Sequence, residues 1–145
     1  MRVFEKVSYD QTGTLPTRAD DRSAGHDFYT PITVTIPAHK SVAIKTNIKC
    51  QMEDDDVLLI FVRSSIGIKK HLMLANQTGV IDASYYNNPD NEGNIICCLY
   101  NYGEEEITIC GGERIAQGVF VKYLKTDEGE VLSNARTGGI GSSGA

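Results

Sequence analysis

"GVIDASYYNNPDNEGN", residues 79–94, decides how the chain is read. Gly79-Val80-Ile81 has the apolar, β-branched character of a buried strand, and a carboxylate, Asp82, follows directly. Tyr85 and Tyr86 come next, then the turn formers Asn87, Asn88, Pro89, Asp90, Asn91 and Gly93. A strand that ends on an acid and feeds an aromatic into an exposed turn is either a capped hairpin or a prepared site.

The rest of the chain repeats the strand-and-turn pattern. "ITVTI" (32–36) alternates and is closed by Pro37, and "VAIKTNIKC" (42–50) alternates as far as Thr46. "VLLIFV" (57–62) is a continuous apolar run behind an acidic turn, Asp54-Asp55-Asp56, taken as exposed. "NIICCLYN" (94–101), "EITIC" (106–110) and "IAQGVFVKYL" (115–124) continue the series, and Glu104-Glu105-Glu106 reads as another exposed turn. Such spacing and β-branched content predict an all-β sandwich or barrel, with at most a short helix near 64–70.

The chain is 145 residues, the size of one domain, with 41% hydrophobic and 23% charged residues. A net charge of -5 gives no electrostatic reason to expect nucleic acid or an anionic membrane as partner. No apolar run approaches the roughly 20 residues of a membrane span, and "MRVFEKVSYD" lacks a signal-peptide core. A cytoplasmic protein is expected. Cys50, Cys97, Cys98 and Cys110 include no C-x-x-C pair and are expected to be buried, reduced packing residues. His26, His39 and His71 share no zinc-ligand spacing.

Five segments break the β pattern at strand ends: "AGHDF" (24–28), "RSS" (63–65), "GVIDASY" (79–85), "GERIAQ" (112–117) and "RTGGIGSSG" (136–144). Each has a plain reading: Asp27 as a turn residue, Arg63 and Arg114 as solvated strand-end charges, the last segment as a flexible tail. Together they supply cations, hydroxyls, carboxylates and a glycine nest. Arginine forks and glycine-rich backbone N–H groups grip phosphate oxygens, and a carboxylate reached through water holds Mg²⁺ beside them. The set is that of a polyphosphate site with a water-activating acid, and it lacks the P-loop pattern.

In this order, the five segments resemble the five motifs of the trimeric dUTPases, from about residue 20 to the C-terminus. The longer "YYNNPDNEGN" is similar to the form in Gram-positive bacteria and their phages. The resemblance implies a jelly-roll β fold over residues 1–133 and a C-terminal arm, 134–145, that closes over a neighbouring subunit's active site. It also implies a homotrimer and Mg²⁺-dependent hydrolysis of dUTP to dUMP and pyrophosphate. By the same resemblance Asp82 is the base that activates water. Tyr85 walls the deoxyribose against a 2′-hydroxyl, and Asn76 stands at a uracil pocket whose hairpin backbone, Gly79-Val80-Ile81, reads the base edge. Arg63, Ser64 and Ser65 contact phosphates, with Ser64 at the leaving oxygen. Gln117 binds phosphate or positions water, Arg114 is structural, and Asp27 anchors Mg²⁺ through water. Arg136, Gly139, Ile140, Gly141, Ser142 and Ser143 close over the substrate.

Three departures stand out. The glycine that usually follows the motif tyrosine is absent, Arg136 lies one residue closer to the glycines, and Ile140 replaces an aromatic that stacks on the base. Phe120 or Tyr123 is the candidate to supply that aromatic instead. Competing readings are a dCTP deaminase, which uses a glutamate where "GVIDASY" has Asp82, and a dUTP-responsive binding protein with a regulatory protein partner if the chain is phage-derived.

Overall fold

The computed structural model describes residues 1–129 and 131–132. It contains eleven strands: β1 (Val3–Lys6), β2 (His26–Tyr29), β3 (Val34–Ile36), β4 (Ser41–Lys45), β5 (Ile48–Gln51), β6 (Asp56–Val62), β7 (Leu72–Leu74), β8 (Gly79–Asp82), β9 (Ile96–Asn101), β10 (Ile107–Ile109) and β11 (Arg114–Lys122). One wide helical turn, Ser65–Lys69, and one tight turn, Ala83–Tyr85, are the helical pieces described. The all-β jelly-roll expectation holds.

Two larger sheets enclose the core, in the orders β2-β11-β6-β8 and β4-β9-β7, with two-stranded pairs β1-β5 and β10-β3 beside them. Every pairing is antiparallel. Period-2 alternation accounts for which side chains face inward. In β9, Cys97, Leu99 and Asn101 are buried while Ile96, Cys98 and Tyr100 are only half-buried. In β3, Val34 and Ile36 point inward, and outward Thr35 meets Thr108 of β10 hydroxyl to hydroxyl at 3.0 Å. Phe28, Ile36, Ile44, Leu58, Leu72 and Leu99 form the fully buried centre.

At Gly118 of β11 the strand backbone lies close against the core. A Cβ there would stand 2.9 Å from both the Leu58 Cδ1 and the Phe28 Cε2 atoms, inside normal contact distance. Gly118→Val is therefore expected to destabilise the fold by about 1–3 kcal/mol through overpacking, read as a lower denaturant midpoint at unchanged slope.

Several expectations need correction. The run 42–50 is two strands, β4 and β5, broken at Thr46-Asn47. Asn47 has φ 61°, and its side chain accepts a hydrogen bond from Asn94 Nδ2 at 2.9 Å. Strand β1 gave no alternation to read, because it is short and its residues are half-buried or exposed. Asp27 lies within strand β2, not in a turn.

Asp56 is the largest surprise of the acidic turn: it is 1% exposed. Arg2 grips it through Nε and Nη2 at 2.7 and 2.9 Å, Lys122 Nζ lies 2.9 Å away, and the Glu53 backbone N–H donates at 3.0 Å. Asp54 and Asp55 are exposed as expected, and so are Glu104 to Glu106. The hydrogen bond from Arg2 holds the Asp56 carboxyl below the usual carboxylate range. Glu92 is lowered by the Ser8 hydroxyl and backbone N–H, and Glu113 by the Cys110 backbone N–H and Lys70. Groups lowered on folding stabilise above their unfolded values and lose that contribution as pH falls through the folded ones. Thermal stability is expected to fall steeply below about pH 4, and Asp56→Ala to destabilise by about 1–3 kcal/mol at neutral pH while flattening that acid slope.

Cys50 and Cys97 are buried, and burial pushes both thiols up to about 12. Cys98 is half-buried and Cys110 exposed, so packing does not describe all four. Among the described residues no helix is long and apolar enough to cross a membrane.

Candidate active site

Strands β7 and β8 follow one another, yet they do not pair. β7 pairs with β9 and β8 with β6, so each is the edge of its own sheet. The connection 75–78 bridges them, with Gln77 at φ 67°. The expected hairpin is thus splayed, and a cleft of about 600 Å³ opens between its arms. Asn76, Gly79, Val80, Ile81 and Tyr85 all line it. Sequence reading missed Ala43, Ile60, Leu74, Thr78, Ile96 and Cys98. Alternation in β9 put Ile96 and Cys98 on one face, but nothing local said that this face borders a cavity.

Gly79 lies against β6 so closely that a Cβ would stand 3.0 Å from the Ile60 Cβ. Asp82 ends β8, exposed, with extended backbone (φ -82°, ψ 155°). The Ala83–Tyr85 turn then folds the chain back and buries Tyr85, 6% exposed, in the cleft wall. Phe120 does not reach the cleft: its ring packs on Phe4 and His26 at 5.7 and 5.4 Å. Tyr123 is engaged elsewhere, donating its hydroxyl to the Asp54 carbonyl at 2.8 Å.

A second group of predicted residues gathers beyond the other end of β6. Arg63 follows that strand, and Ser64 leads into the Ser65–Lys69 turn, in which the Ile66 and Gly67 N–H groups both donate to the Arg63 carbonyl at 3.0 Å. Arg63 Nε lies 3.3 Å from Asp27 Oδ1, and Arg114 Nη1 lies 3.4 Å from Asp27 Oδ2. Gln117 sits beside Asp27 in the β11-β2 register and donates to the Val62 carbonyl at 3.4 Å. It lies over Gly25, where an added Cβ would come within 2.5 Å of Gln117 Oε1. Arg63, Ser65, Arg114, Tyr29 and Lys70 line a hollow of about 280 Å³ here. Tyr29 and Lys70 were not foreseen.

The two groups are far apart within one chain. Asp82 is opposite Val57 and Gly79 opposite Ile60, so β8 runs from the middle of β6 to its start. Arg63 lies beyond its end. Val57 and Arg63 are six residue steps apart along this extended stretch, about 20 Å at ~3.3 Å per residue.

The dUTPase family model matches residues 11–144. The chain belongs to the dUTPase family. The deoxyuridine 5'-triphosphate nucleotidohydrolase of Lactococcus lactis subsp. lactis (strain IL1403) is 43% identical over all of this chain and 99% of its own. The human mitochondrial deoxyuridine 5'-triphosphate nucleotidohydrolase is 31% identical over 97% of this chain and 54% of its own. Among solved structures, the dUTPase from Streptococcus mutans superposes with a TM-score of 0.80 at 38% identity, covering 86% of this chain and 98% of that one.

The chain thus carries an apolar cleft next to the Asp82 carboxylate and a cationic hollow with hydroxyls at the far end of β6. The metal implied by the family finds a limited donor set. No group of three His, Cys, Asp or Glu side chains that could hold a metal occurs among the described residues. Asp27 is a single carboxylate already between two arginines. That set fits a hydrated Mg²⁺ brought in on phosphates and touched through water, and does not fit a resident ion held by protein oxygens. Arg136, Gly139, Ile140, Gly141, Ser142 and Ser143 lie outside the described residues.

Proposed function

We propose that the chain hydrolyses dUTP to dUMP and pyrophosphate, keeping uracil out of DNA and supplying dUMP for dTMP synthesis, and that it does so as a homotrimer. Asp82 takes a proton from a water whose oxygen attacks the α-phosphorus. The new bond forms in line with the one to the bridging oxygen, which leaves with its electron pair on pyrophosphate. Ser64 donates to that leaving oxygen, Arg63 and Ser65 hold the outer phosphates, and Gln117 orients phosphate or water. Mg²⁺, when bound, neutralises charge on the phosphates, with Asp27 touching its water shell. Ile81 and the cleft backbone read uracil, and Tyr85 closes off the 2′ position. Residues 134–145 act as an arm over a neighbouring site, with Arg136, Ser142 and Ser143 toward the terminal phosphate. On the same reading the protein acts in the cytoplasm.

The number of subunits follows the family resemblance, and sharing of a site between them rests on one observation: the base and the phosphate-gripping group lie at opposite ends of β6. Both must reach the same phosphorus, within hydrogen-bond distance of its attacking and leaving oxygens. A single chain leaves them about 20 Å apart, so each site takes its base from one subunit and its phosphate grip from another. The test is pyrophosphate release from dUTP with dCTP, dTTP and UTP alongside, with and without Mg²⁺. Turnover of dUTP alone, dependent on the metal, supports the proposal. Uracil nucleotide formed from dCTP would move the chain to the deaminase branch.

A further inference from the structure

The turn 86–94 exposes Asn87, Pro89 and Asp90, as its composition suggests, but its remaining residues are buried or half-buried. Asn88 and Asn94 are 2% and 1% exposed, and the backbone is tied internally: Glu92 N–H donates to Asn88 O at 2.7 Å and Asn87 N–H to Glu92 O at 2.8 Å. Gly93, at φ 87°, passes so near the site that a Cβ would stand 2.3 Å from the Tyr85 carbonyl oxygen. Only glycine combines that φ with that approach.

The loop's inner edge is anchored on one atom, the Tyr85 hydroxyl. That hydroxyl donates to the Asn94 carbonyl at 2.6 Å and accepts from Asn91 Nδ2 at 2.9 Å. Asn91 is itself fixed, because its Oδ1 accepts the Gly93 N–H at 2.9 Å. The same two residues are clamped from outside by the N-terminal segment. Tyr9 donates its hydroxyl to the Asn91 carbonyl at 3.2 Å and accepts from Asn94 Nδ2 at 3.1 Å. Ser8 N–H binds the Glu92 carboxylate at 2.8 Å, and Lys49 Nζ binds Asn87 Oδ1 at 2.8 Å.

We infer that Asn91 is a positioning residue for sugar selection: through the Tyr85 hydroxyl, the 86–94 loop holds the Tyr85 ring where a ribose 2′-oxygen would need to sit. The inference rests on the proposed role of Tyr85 as sugar wall. A phenol ring can tilt about its side-chain torsions unless its far end is held, and rejecting one added oxygen by packing requires a wall that does not yield. Two directional hydrogen bonds at the para position supply that restraint. The absent glycine after the motif tyrosine then has a counterpart: the longer loop returns to the same tyrosine from the other side.

The readout is the ratio of kcat/KM for dUTP to that for UTP. Asn91→Asp keeps the acceptor for the Gly93 N–H and removes the donor to Tyr85. It is expected to lower the ratio about 5- to 10-fold, the equivalent of one hydrogen bond, chiefly by raising kcat/KM for UTP. Tyr85→Phe removes both bonds and should lower it at least as far, and adding Asn91→Asp to Tyr85→Phe should lower it no further, since the shared hydroxyl is already gone. An unchanged ratio in Asn91→Asp or in Tyr85→Phe, or an additive loss in the double variant, overturns the inference. Tyr85→Ala separates it from its premise. If Tyr85→Ala collapses the ratio while the other two variants keep it, the sugar wall stands and the buttress does not. If Tyr85→Ala leaves the ratio intact, the sugar wall itself is wrong.

Discussion

Asp82→Asn is expected to slow dUTP hydrolysis by about 10²–10⁴-fold, the usual contribution of a positioned general base, while dUTP binding persists. The amide is nearly the same shape as the carboxylate and stays at the end of β8, so the cleft proposed for the nucleoside is expected to be undisturbed. What disappears is the acceptor for the water proton. Single-turnover pyrophosphate release measures the chemical step, and thermal protection by dUTP in the inactive variant measures binding separately. Near-normal turnover would show that another group takes the proton, and the assignment of Asp82 would fail.

Mixing two dead variants should restore activity. Asp82→Asn keeps the phosphate grip and Arg63→Ala keeps the base, and each alone is expected to be nearly inactive. If a site draws these groups from different subunits, unfolding and refolding a 1:1 mixture gives about one quarter of the sites an intact pair by random assortment. Activity then rises from near zero to about a quarter of the unaltered enzyme. A mixture no more active than its components would mean that base and grip come from the same chain. The separation along β6 would then have to close by a rearrangement of the sheet.

Much of the fold and the cleft was legible, because both are written in local pattern. Alternation found the core strands, and "GVIDASY" located the wall of a cleft that its own residues line. Other features depended on contacts distant in sequence. Asp56 reads as one more acid in a turn until Arg2 and Lys122 are folded onto it. The 86–94 loop reads as exposed until Ser8 and Tyr9 close over it. Asp27 reads as a loop residue because a four-residue strand beside glycine shows no alternation. The two-ended site is a matter of register, set by which β6 residue each β8 residue opposes, and periodicity carries no information on that.

The splayed arms of β7 and β8 bear on stability as well as recognition. An edge strand has backbone groups that seek a neighbour, and here two such edges face one another across a gap instead of facing solvent. A flat ligand that hydrogen-bonded both edges would serve as a missing rung between two sheets joined on this side by the 75–78 connection. A ligand that fills the gap binds the folded chain and not the unfolded one, so the unfolding midpoint is expected to climb with ligand concentration, and its breadth to narrow if the two sheets then melt as one.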